Sequence, residues 1–498
     1  MDNAAALFID GPVDEGHGNR AALVTPTGVV TYAALRRLTN RAAYGLRALG
    51  VEAEQRVAVL LHDSPAWAAT LFGALKLGAV AVPINTRLGA PALRTVLSDC
   101  RPKALVADPS IIARSGVDAT ELGVAVRDFD ALVAGTPSSA FPLEPVGADA
   151  MAIWLYTSGT TGSPKAAVHC HRTLPACRHY GIEVLGVNPE DRIFATSRLF
   201  FPYALGNALL IPLFARAAAY LDPVWPDPVG VARVMREFRP TLFFSVPTMY
   251  ARLLRADLPA DTFTSARACV SAGERLPAEI YEAWRARFGV EVLDGIGATE
   301  TVFMVLSNRP GLSRPGCSGV PVPSTEARVL DSEGRPVADG EEGVLWVRTP
   351  SQAASYWKRL DHSRRTFVGD WFRTGDVYRR EPDGAYVHCG REDDMFKVAG
   401  QWVAPADVES VLFRHPGVLD SGVVGMPEAG GLVKPFAFVV PREPAVEAAA
   451  LRADLQRFLE GALAPHQRPR EIRIVSELPR TDTGKLQRFR LRELIDGQ

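Results

Sequence analysis

The chain has 498 residues, 47% of them apolar and 22% charged, with a formal net charge of −1. That length exceeds one simple core and predicts two or more domains. The near-zero charge supplies no basic field for nucleic acid or an anionic membrane. The six cysteines (Cys100, Cys170, Cys177, Cys269, Cys317, Cys389) are scattered with no CxxC pair, which reads as free or buried thiols in a reducing cytosol. Met1-Asp2-Asn3 lacks the basic start and apolar core of a signal peptide. The most apolar segment, 208–221, holds Pro212 and Arg216 and is too short to span a bilayer. A cytoplasmic protein is therefore expected.

The spacing predicts an amphipathic helix over 31–49, where Leu35, Leu38, Ala42, Leu46 and Leu49 recur at intervals of three and four. Thr31 stands at its cap and Gly50 just past its end. Residues 56–61 read as a strand. Ser64-Pro65 opens a second helix, since proline suits the first helical position. It ends near Gly78, and 79–83 reads as another strand. The alternation resumes with strands at 191–195, 241–246, 268–271 and 290–293, separated by helices such as 229–238 and 278–288. Such alternation predicts parallel sheet covered by helices. From 316 to about 391, short β-like pieces (326–330, 343–347, 386–388) lie between Asp, Gly and Pro turns, as in a small β subdomain. After a polar break at 390–394 comes an α+β pattern: helix 405–413, strands 422–424 and 436–440, helix 447–463, strand 471–475. The expected fold class is α/β. A large N-terminal domain, 1–391, has helix-covered, mainly parallel sheets plus a barrel-like β subdomain at about 316–391. A small mobile α+β domain, 392–498, follows, with its hinge at Asp393.

Several small-residue clusters carry the chemistry. The apolar run Met151 to Leu155 leads into Tyr156-Thr157-Ser158-Gly159-Thr160-Thr161-Gly162-Ser163-Pro164-Lys165. Hydroxyls and free backbone N–H groups at a strand end suit a phosphate, Gly159 and Gly162 allow close approach, and Lys165 adds a mobile positive charge. It is not a Walker loop, because Pro164 stands where that motif needs Gly-Lys-Ser/Thr; by composition alone it is a plain loop. Ser271-Ala272-Gly273-Glu274 and Asp294-Gly295-Ile296-Gly297-Ala298-Thr299-Glu300 follow predicted strands. Their small residues let a flat ring lie against the backbone, and Glu300 offers oxygen to a hard cation such as Mg²⁺. Gly295-x-Gly297 lacks the third glycine of a dinucleotide fingerprint, so taken alone it reads as a turn. In Arg373-Thr374-Gly375-Asp376, a turn by composition, the carboxylate could accept both hydroxyls of a ribose. Lys397 and Lys485, each in a Gly-containing segment, are by themselves solvated surface charges. His169 and His171 share one side of a predicted strand, but no third ligand is placed by spacing, so they read as core or loop histidines. There is no Gly-x-Ser-x-Gly elbow.

These motifs, in order from Tyr156 to Lys485, resemble the adenylate-forming superfamily of acyl- and aryl-CoA ligases, adenylation domains and luciferases. The resemblance covers essentially the whole chain and implies ATP, Mg²⁺ and coenzyme A. Thr157, Ser158, Gly159, Thr160, Thr161 and Lys165 would then hold phosphate. Ser271, Gly273, Glu274, Asp294, Gly295 and Ile296 would frame the adenine, with Ile296 where the family often has tyrosine. Thr299 and Glu300 would touch phosphate and Mg²⁺, Asp376 the ribose, and Arg391 ribose or phosphate. Lys485, in Pro479-Arg480-Thr481-Asp482-Thr483-Gly484-Lys485-Leu486, would be the adenylation lysine, at the carboxylate and α-phosphate. A preorganised cation there is worth about 3–4 kcal/mol. After rotation about Asp393 the other face of the small domain would replace it, with Gly400 lining the pantetheine tunnel and Lys397 pointing into the site.

Arg198-Leu199-Phe200-Phe201-Pro202-Tyr203-Ala204-Leu205-Gly206-Asn207 is by composition an aromatic turn entering a buried helix. It resembles the acid-pocket segment of the benzoate-CoA ligase branch, as do 295–300 and Val433-Lys434-Pro435. The implied pocket is Phe201, Tyr203, Ala204, Gly206, Gly297 and Val302, a slot that suits a planar aromatic acid. Pro202 and the bulky Thr301-Val302-Phe303 depart from the pattern. The expected activity is AMP-forming ligation of a benzoate-like acid to CoA. The alternatives are transfer to a carrier-protein phosphopantetheine or another acceptor, a medium-chain acyl-CoA ligase, and a nucleotide-binding protein without ligase activity. A homodimer is left open.

Overall fold

A computed structural model of the chain describes residues 2–118, 123–157, 164–398, 401–427, 433–443, 446–480 and 486–496. Local signals set its elements. The Thr31 hydroxyl accepts from the Ala34 N–H and starts the helix Tyr32–Ala48, and Gly50 beyond it has φ +74°. Ser64 caps Pro65–Lys76 in the same way through the Trp67 N–H. Asp227 caps Pro228–Glu237 through the Gly230 N–H. Each such cap satisfies a donor the helix start leaves open, worth typically ~1 kcal/mol.

Two sheets dominate the large N-terminal part. One runs Ser355–Tyr356, Lys165–Cys170, Met151–Thr157, Val80–Pro83, Arg56–Leu60, Ala104–Ala107, Ala125–Arg127; the last five strands are parallel. The other runs Val320–Pro321, Met304–Ser307, Val292–Gly297, Ala268–Ser271, Leu242–Ser245, Arg192–Ala195, Ala218–Tyr220, Ala21–Thr25, Gly28–Thr31, with its six strands from Val292–Gly297 to Ala21–Thr25 parallel. A single apolar core joins them, containing Val57, Ala81 and Ile153 from one sheet and Leu23, Ala219 and Leu242 from the other. The helix Pro65–Lys76 belongs to this core. Every residue from Trp67 to Lys76 is buried, which is why the segment has no polar face. The Lys76 ammonium is kept inside by the Asp10 carboxylate at 2.7 Å and Asn40 Oδ1 at 2.9 Å; burial lowers its pKa while Asp10 opposes.

The strands Glu326–Leu330, Glu342–Arg348, Phe367–Val368, Trp371–Arg380 and Tyr386–Arg391 form the expected β subdomain as an antiparallel sheet. Among the described residues this sheet is open rather than barrel-closed. Phe367–Val368 and Tyr386–Arg391 pair with different stretches of the same strand, so no ladder joins the sheet's ends. The C-terminal part has its own sheet, Val418–Pro427, Val433–Pro441 and Glu471–Ile474, with helices Pro405–Phe413, Ala448–Ala462 and Arg488–Asp496. Val408, Leu412, Val439, Leu455 and Ile472 form a separate core there. Arg275–Asp407 at 3.1 Å and Arg414–Glu279 at 3.0 Å tie it to the large part.

Three predicted details are corrected. The strand expected at 290–293 is Val292–Gly297, so Asp294 to Gly297 lie in the sheet and not beyond it. Its glycines admit a close partner: a Cβ on Gly295 would stand 2.6 Å from Leu306 O, and one on Gly297 2.7 Å from Phe303 O. The predicted turn at 373–376 lies inside the ten-residue strand Trp371–Arg380, where Gly375 at φ +73° sits beside a register shift. The turn signal there marks a bulge. His171 falls past the strand Lys165–Cys170, at the start of a 3₁₀ turn, so the two histidines do not share a strand. Among the described residues no helix is long and apolar enough to cross a membrane, and all six cysteines are buried and free.

Candidate active site

The turn after Gly297 is where the two sheets meet. His169, on the strand Lys165–Cys170, makes a 2.8 Å hydrogen bond through Nε2 to the carbonyl of Thr299. Burial pushes the His169 pKa down to about 4, so the ring is neutral and Nε2 carries the proton that this carbonyl accepts. The Ala353 N–H donates to Glu300 O at 2.7 Å, and the Tyr356 hydroxyl donates to Glu300 Oε1 at 2.5 Å. Lys165 Nζ lies 5.5 Å from the centroid of the Tyr356 ring. Thr157 pairs with Lys165 in the antiparallel ladder, which brings the two ends of the hydroxyl-rich segment together. Ser158, Gly159, Thr160, Thr161, Gly400 and Lys485 lie outside the described residues.

Asp376 is buried and has two basic neighbours, the Arg391 guanidinium (Nη1 at 3.1 Å) and the His388 imidazole (Nε2 at 3.5 Å). Burial alone would raise its pKa, but Arg391 and His388 together bring it down to about 2. The pKa of Arg391 is raised, first by Asp376 and, more weakly, by Asp393 and Glu300. Asp376, Arg391, Asp393 and Glu300 therefore share one electrostatic neighbourhood. Arg391 Nη1 also donates to Thr374 O at 3.1 Å, fixing the guanidinium across the bulge at Gly375.

Ser271, the last residue of Ala268–Ser271, pairs in register with Asp294 inside the neighbouring parallel strand Val292–Gly297. Burial pushes the Asp294 carboxyl up to about 8, against a downward pull from Ser271. Asp294 Oδ1 and Ser271 Oγ are both buried, and Ser271 acts on Asp294 as a weak hydrogen-bond partner across the paired strands. Gly273 follows at φ +93°, and Glu274 Oε2 accepts from the Thr248 hydroxyl at 2.9 Å. Ile296 is partly buried and packs with the apolar cluster of Val305, Leu306 and Tyr378.

Of the residues expected to form the acid pocket, Gly206 and Gly297 lie against Phe303. A Cβ on Gly206 would stand 3.0 Å from its ring, and one on Gly297 2.7 Å from its carbonyl. Val302 beside it has φ +58°, a left-handed conformation that costs a β-branched residue about 1–3 kcal/mol. The Val302 N–H bond to Ala298 O at 3.0 Å and the Thr301 hydroxyl bond to Phe303 O at 3.0 Å hold it there. The Tyr203 hydroxyl lies 3.1 Å from Ser245 O and 3.0 Å from Val270 O, tying its ring to two strand ends. Phe201 precedes the short helix Pro202–Ala204, and its ring centroid is 4.3 Å from that of Phe200. The helical run continues through Leu205–Leu210 with a wide π turn, and Ala204 and Gly206 are buried in it.

Lys397 is exposed on the strand Phe396–Val398 of a two-stranded hairpin. Asp393 lies in the turn between Tyr386–Arg391 and that hairpin. Among the described residues no group of three or more His, Cys, Asp or Glu could hold a metal ion. Sequence reasoning missed Tyr356, His169, His388 and Thr248. None sits in a small-residue motif, and each reaches the site through sheet pairing or long-range packing.

The family model of the AMP-binding enzyme matches residues 13–357, and that of the AMP-binding enzyme C-terminal domain matches residues 407–485. The chain belongs to the AMP-binding enzyme family. It is 38% identical to a 3-hydroxybenzoate–CoA ligase of Aromatoleum sp. (strain CIB), over 99% of this chain and 97% of that one. Its fold matches a benzoate CoA ligase from Burkholderia xenovorans LB400 with TM-score 0.90 and 38% identity, covering 99% of this chain and 100% of that one. It also matches an anthranilate CoA ligase solved in complex with anthranoyl-AMP, with TM-score 0.92 and 35% identity over 99% and 98% of the two chains. For this family member the α/β class, with a large N-terminal part built on mainly parallel sheets and a smaller C-terminal part, is as the sequence predicts.

Proposed function

We propose that this protein is an AMP-forming aryl-CoA ligase acting on a benzoate-like acid in the cytosol. What supports the reading is that Arg391 pairs with Asp376 and feels the charge of Glu300, with His169 on the neighbouring Thr299 carbonyl, in a chain whose aryl-CoA ligase relatives align over nearly its full length. Adenine lies between 271–274 and 294–297. Asp376, kept ionised by Arg391 and His388, accepts the ribose hydroxyls. The segment from Thr157 to Lys165 holds the phosphates.

One carboxylate, Glu300, with the Thr299 hydroxyl, fits Mg²⁺, which takes one or two carboxylates together with substrate phosphates and water. Bound there, the ion would neutralise phosphate charge. Tyr356 donates to one Glu300 oxygen and holds it in place. The acid's ring lies among Phe201, Tyr203, Ala204, Gly206, Gly297 and Val302. Its carboxylate oxygen bonds to the α-phosphorus and pyrophosphate leaves, with Lys485 stabilising the charge that develops. The small domain then turns about Asp393, bringing Lys397 and Gly400 toward the site. The thiol sulfur of CoA bonds to the acyl carbon, AMP leaves, and the thiol proton is released. Adenylation is needed because hydroxide is a poor leaving group from a carboxylic acid and AMP a good one. The domain boundaries this requires are 1–391 and 392–498.

The test is ATP–pyrophosphate exchange with benzoate, hydroxybenzoates and aminobenzoates. Exchange that depends on an aryl acid supports the reading. Absence of exchange with every aryl acid, from a folded protein that binds ATP, would leave a nucleotide-binding protein without ligase activity.

A further inference from the structure

We infer that Arg480 is a positioning residue for the adenylation half-reaction, an inference that rests on the proposed function. The last strand of the C-terminal sheet ends at Ile474, and the chain runs on through Pro479 and Arg480 toward Lys485. Both ends of the intervening segment are fixed. Arg480 and Leu486 form a backbone bridge, and the Gln487 N–H donates to Pro479 O at 2.8 Å. Leu486 packs with the apolar cluster of Val424, Phe438 and Leu491. The stem that leads to Lys485 is therefore built onto the small domain.

The Arg480 side chain spans from that stem to the large part. Its Nη2 donates to Asp420 Oδ1 and Oδ2 at 3.0 and 2.8 Å, an anchor within the small domain. Its Nη1 lies 3.6 Å from Glu274 Oε1 on the adenine-framing turn. Glu274 is itself held, through Oε2, by the Thr248 hydroxyl. The guanidinium and Glu274 side chains are 26% and 22% exposed, less open to screening than the Arg414–Glu279 pair at 57% and 38%. Arg275–Asp407 and Arg414–Glu279 join the two parts from the helix Pro405–Phe413 and its end. Among these three bridges, the one from Arg480 alone reaches across from the stem of the lysine segment.

A guanidinium hydrogen-bonded to Asp420 on one body and held at ion-pair distance from Glu274 on the other links the stem electrostatically to the large part. Arg480 thereby sets where the stem stands relative to the adenine-framing turn. A misplacement of about 1 Å at a reacting centre can cost on the order of a hundredfold in rate. The contact to Glu274 belongs to this domain orientation, so rotation about Asp393 would break it. Loss of Arg480 should therefore fall on adenylation and not on thioester formation.

The experiment compares wild type with Arg480→Ala, Arg480→Lys and Arg414→Ala, the last as a bridge away from the stem. ATP–pyrophosphate exchange with benzoate reads adenylation, and thioester formation from supplied benzoyl-adenylate and CoA reads the second step. Arg480→Ala should lower the adenylation kcat by about tenfold to a hundredfold, change the second step by less than about threefold, and be partly rescued by lysine. Arg414→Ala should leave both rates near wild type. Equal losses in both steps, no loss in adenylation, or the same pattern from Arg414→Ala would overturn the assignment. Hydrogen exchange of 471–480 and of the turn at 271–276 supplies an arm independent of activity. Faster exchange of both segments in Arg480→Ala and not in Arg414→Ala is expected, and unchanged exchange refutes the clamp. If wild type shows no acid-dependent exchange of pyrophosphate, the proposed function fails while the hydrogen-exchange arm still decides the clamp.

Discussion

Replacing Asp376 by asparagine removes one charge from a buried carboxylate–guanidinium–imidazole cluster and keeps its shape. The Asp376 side chain is 12% exposed, so solvent screens it little. Its pKa falls from 3.8 to about 2 on folding, and each pKa unit is about 1.4 kcal/mol, which makes the ionised form worth about 2 kcal/mol of stability. Because the folded pKa is the lower one, this contribution is fully present above the unfolded value and is lost as pH falls through the folded value. Asp376→Asn should thus unfold at lower urea than wild type at pH 7, by about 2 kcal/mol. The gap should shrink below about pH 4 and reach roughly half near pH 3. The same variant should bind ATP more weakly, because the amide cannot accept both ribose hydroxyls through two oxygens. Equilibrium urea denaturation of the two proteins at pH 7 and pH 3, read by tryptophan fluorescence, measures the difference. A gap that is absent at pH 7, or equal at both pH values, would refute the assignment of the stabilisation to the Asp376 charge.

Asp294 behaves in the opposite sense. Its pKa is raised from 3.8 to about 8, so its contribution is most favourable below pH 3.8 and erodes as pH rises toward 8. Asp294→Asn should flatten that slope and be the more stable protein near pH 8, by urea denaturation across pH; equal slopes would contradict it. Gly297→Ala places a Cβ 2.7 Å from the Phe303 carbonyl, and such overpacking costs typically ~1–3 kcal/mol. The melting temperature should fall and the KM for the aryl acid should rise more than that for ATP. Lys485→Ala should cripple adenylate formation and largely spare thioester formation from supplied acyl-adenylate, as read by single-turnover assays; matching losses in both steps would sink the division between the two lysines.

Elements with strong local chemistry were legible in the sequence. Thr31 and Ser64 cap the helices they were expected to cap, and 268–271, 278–288, 326–330 and 405–413 have the predicted bounds. Glycine misled where it serves pairing. Gly295 and Gly297 read as a turn because composition does not reveal that Met304–Ser307 runs close alongside them. Gly375 likewise marks a bulge inside a strand. Among the residues brought together around Thr299 and Asp376, Glu300, Asp376 and Arg391 stand in motifs that the sequence singles out, whereas Tyr356 and His169 do not. Tyr356 reaches Glu300 because Ser355–Tyr356 adds itself to the strand Lys165–Cys170, a pairing set by residues nearly two hundred positions apart. The bridge from Arg480 to Glu274 depends on how the small domain rests on the large one, which periodicity does not encode.

The most direct test of the central claim is product analysis with ATP, Mg²⁺ and CoA across benzoate, hydroxybenzoates, aminobenzoates, cinnamates and medium-chain fatty acids. The account predicts an aryl-CoA thioester formed in step with AMP and pyrophosphate, with CoA accelerating turnover and a benzoate-type acid preferred. Pyrophosphate release that CoA does not accelerate would contradict the CoA ligase and point to a carrier protein or another acceptor, and a preference for fatty acids would contradict the aromatic slot around Phe303.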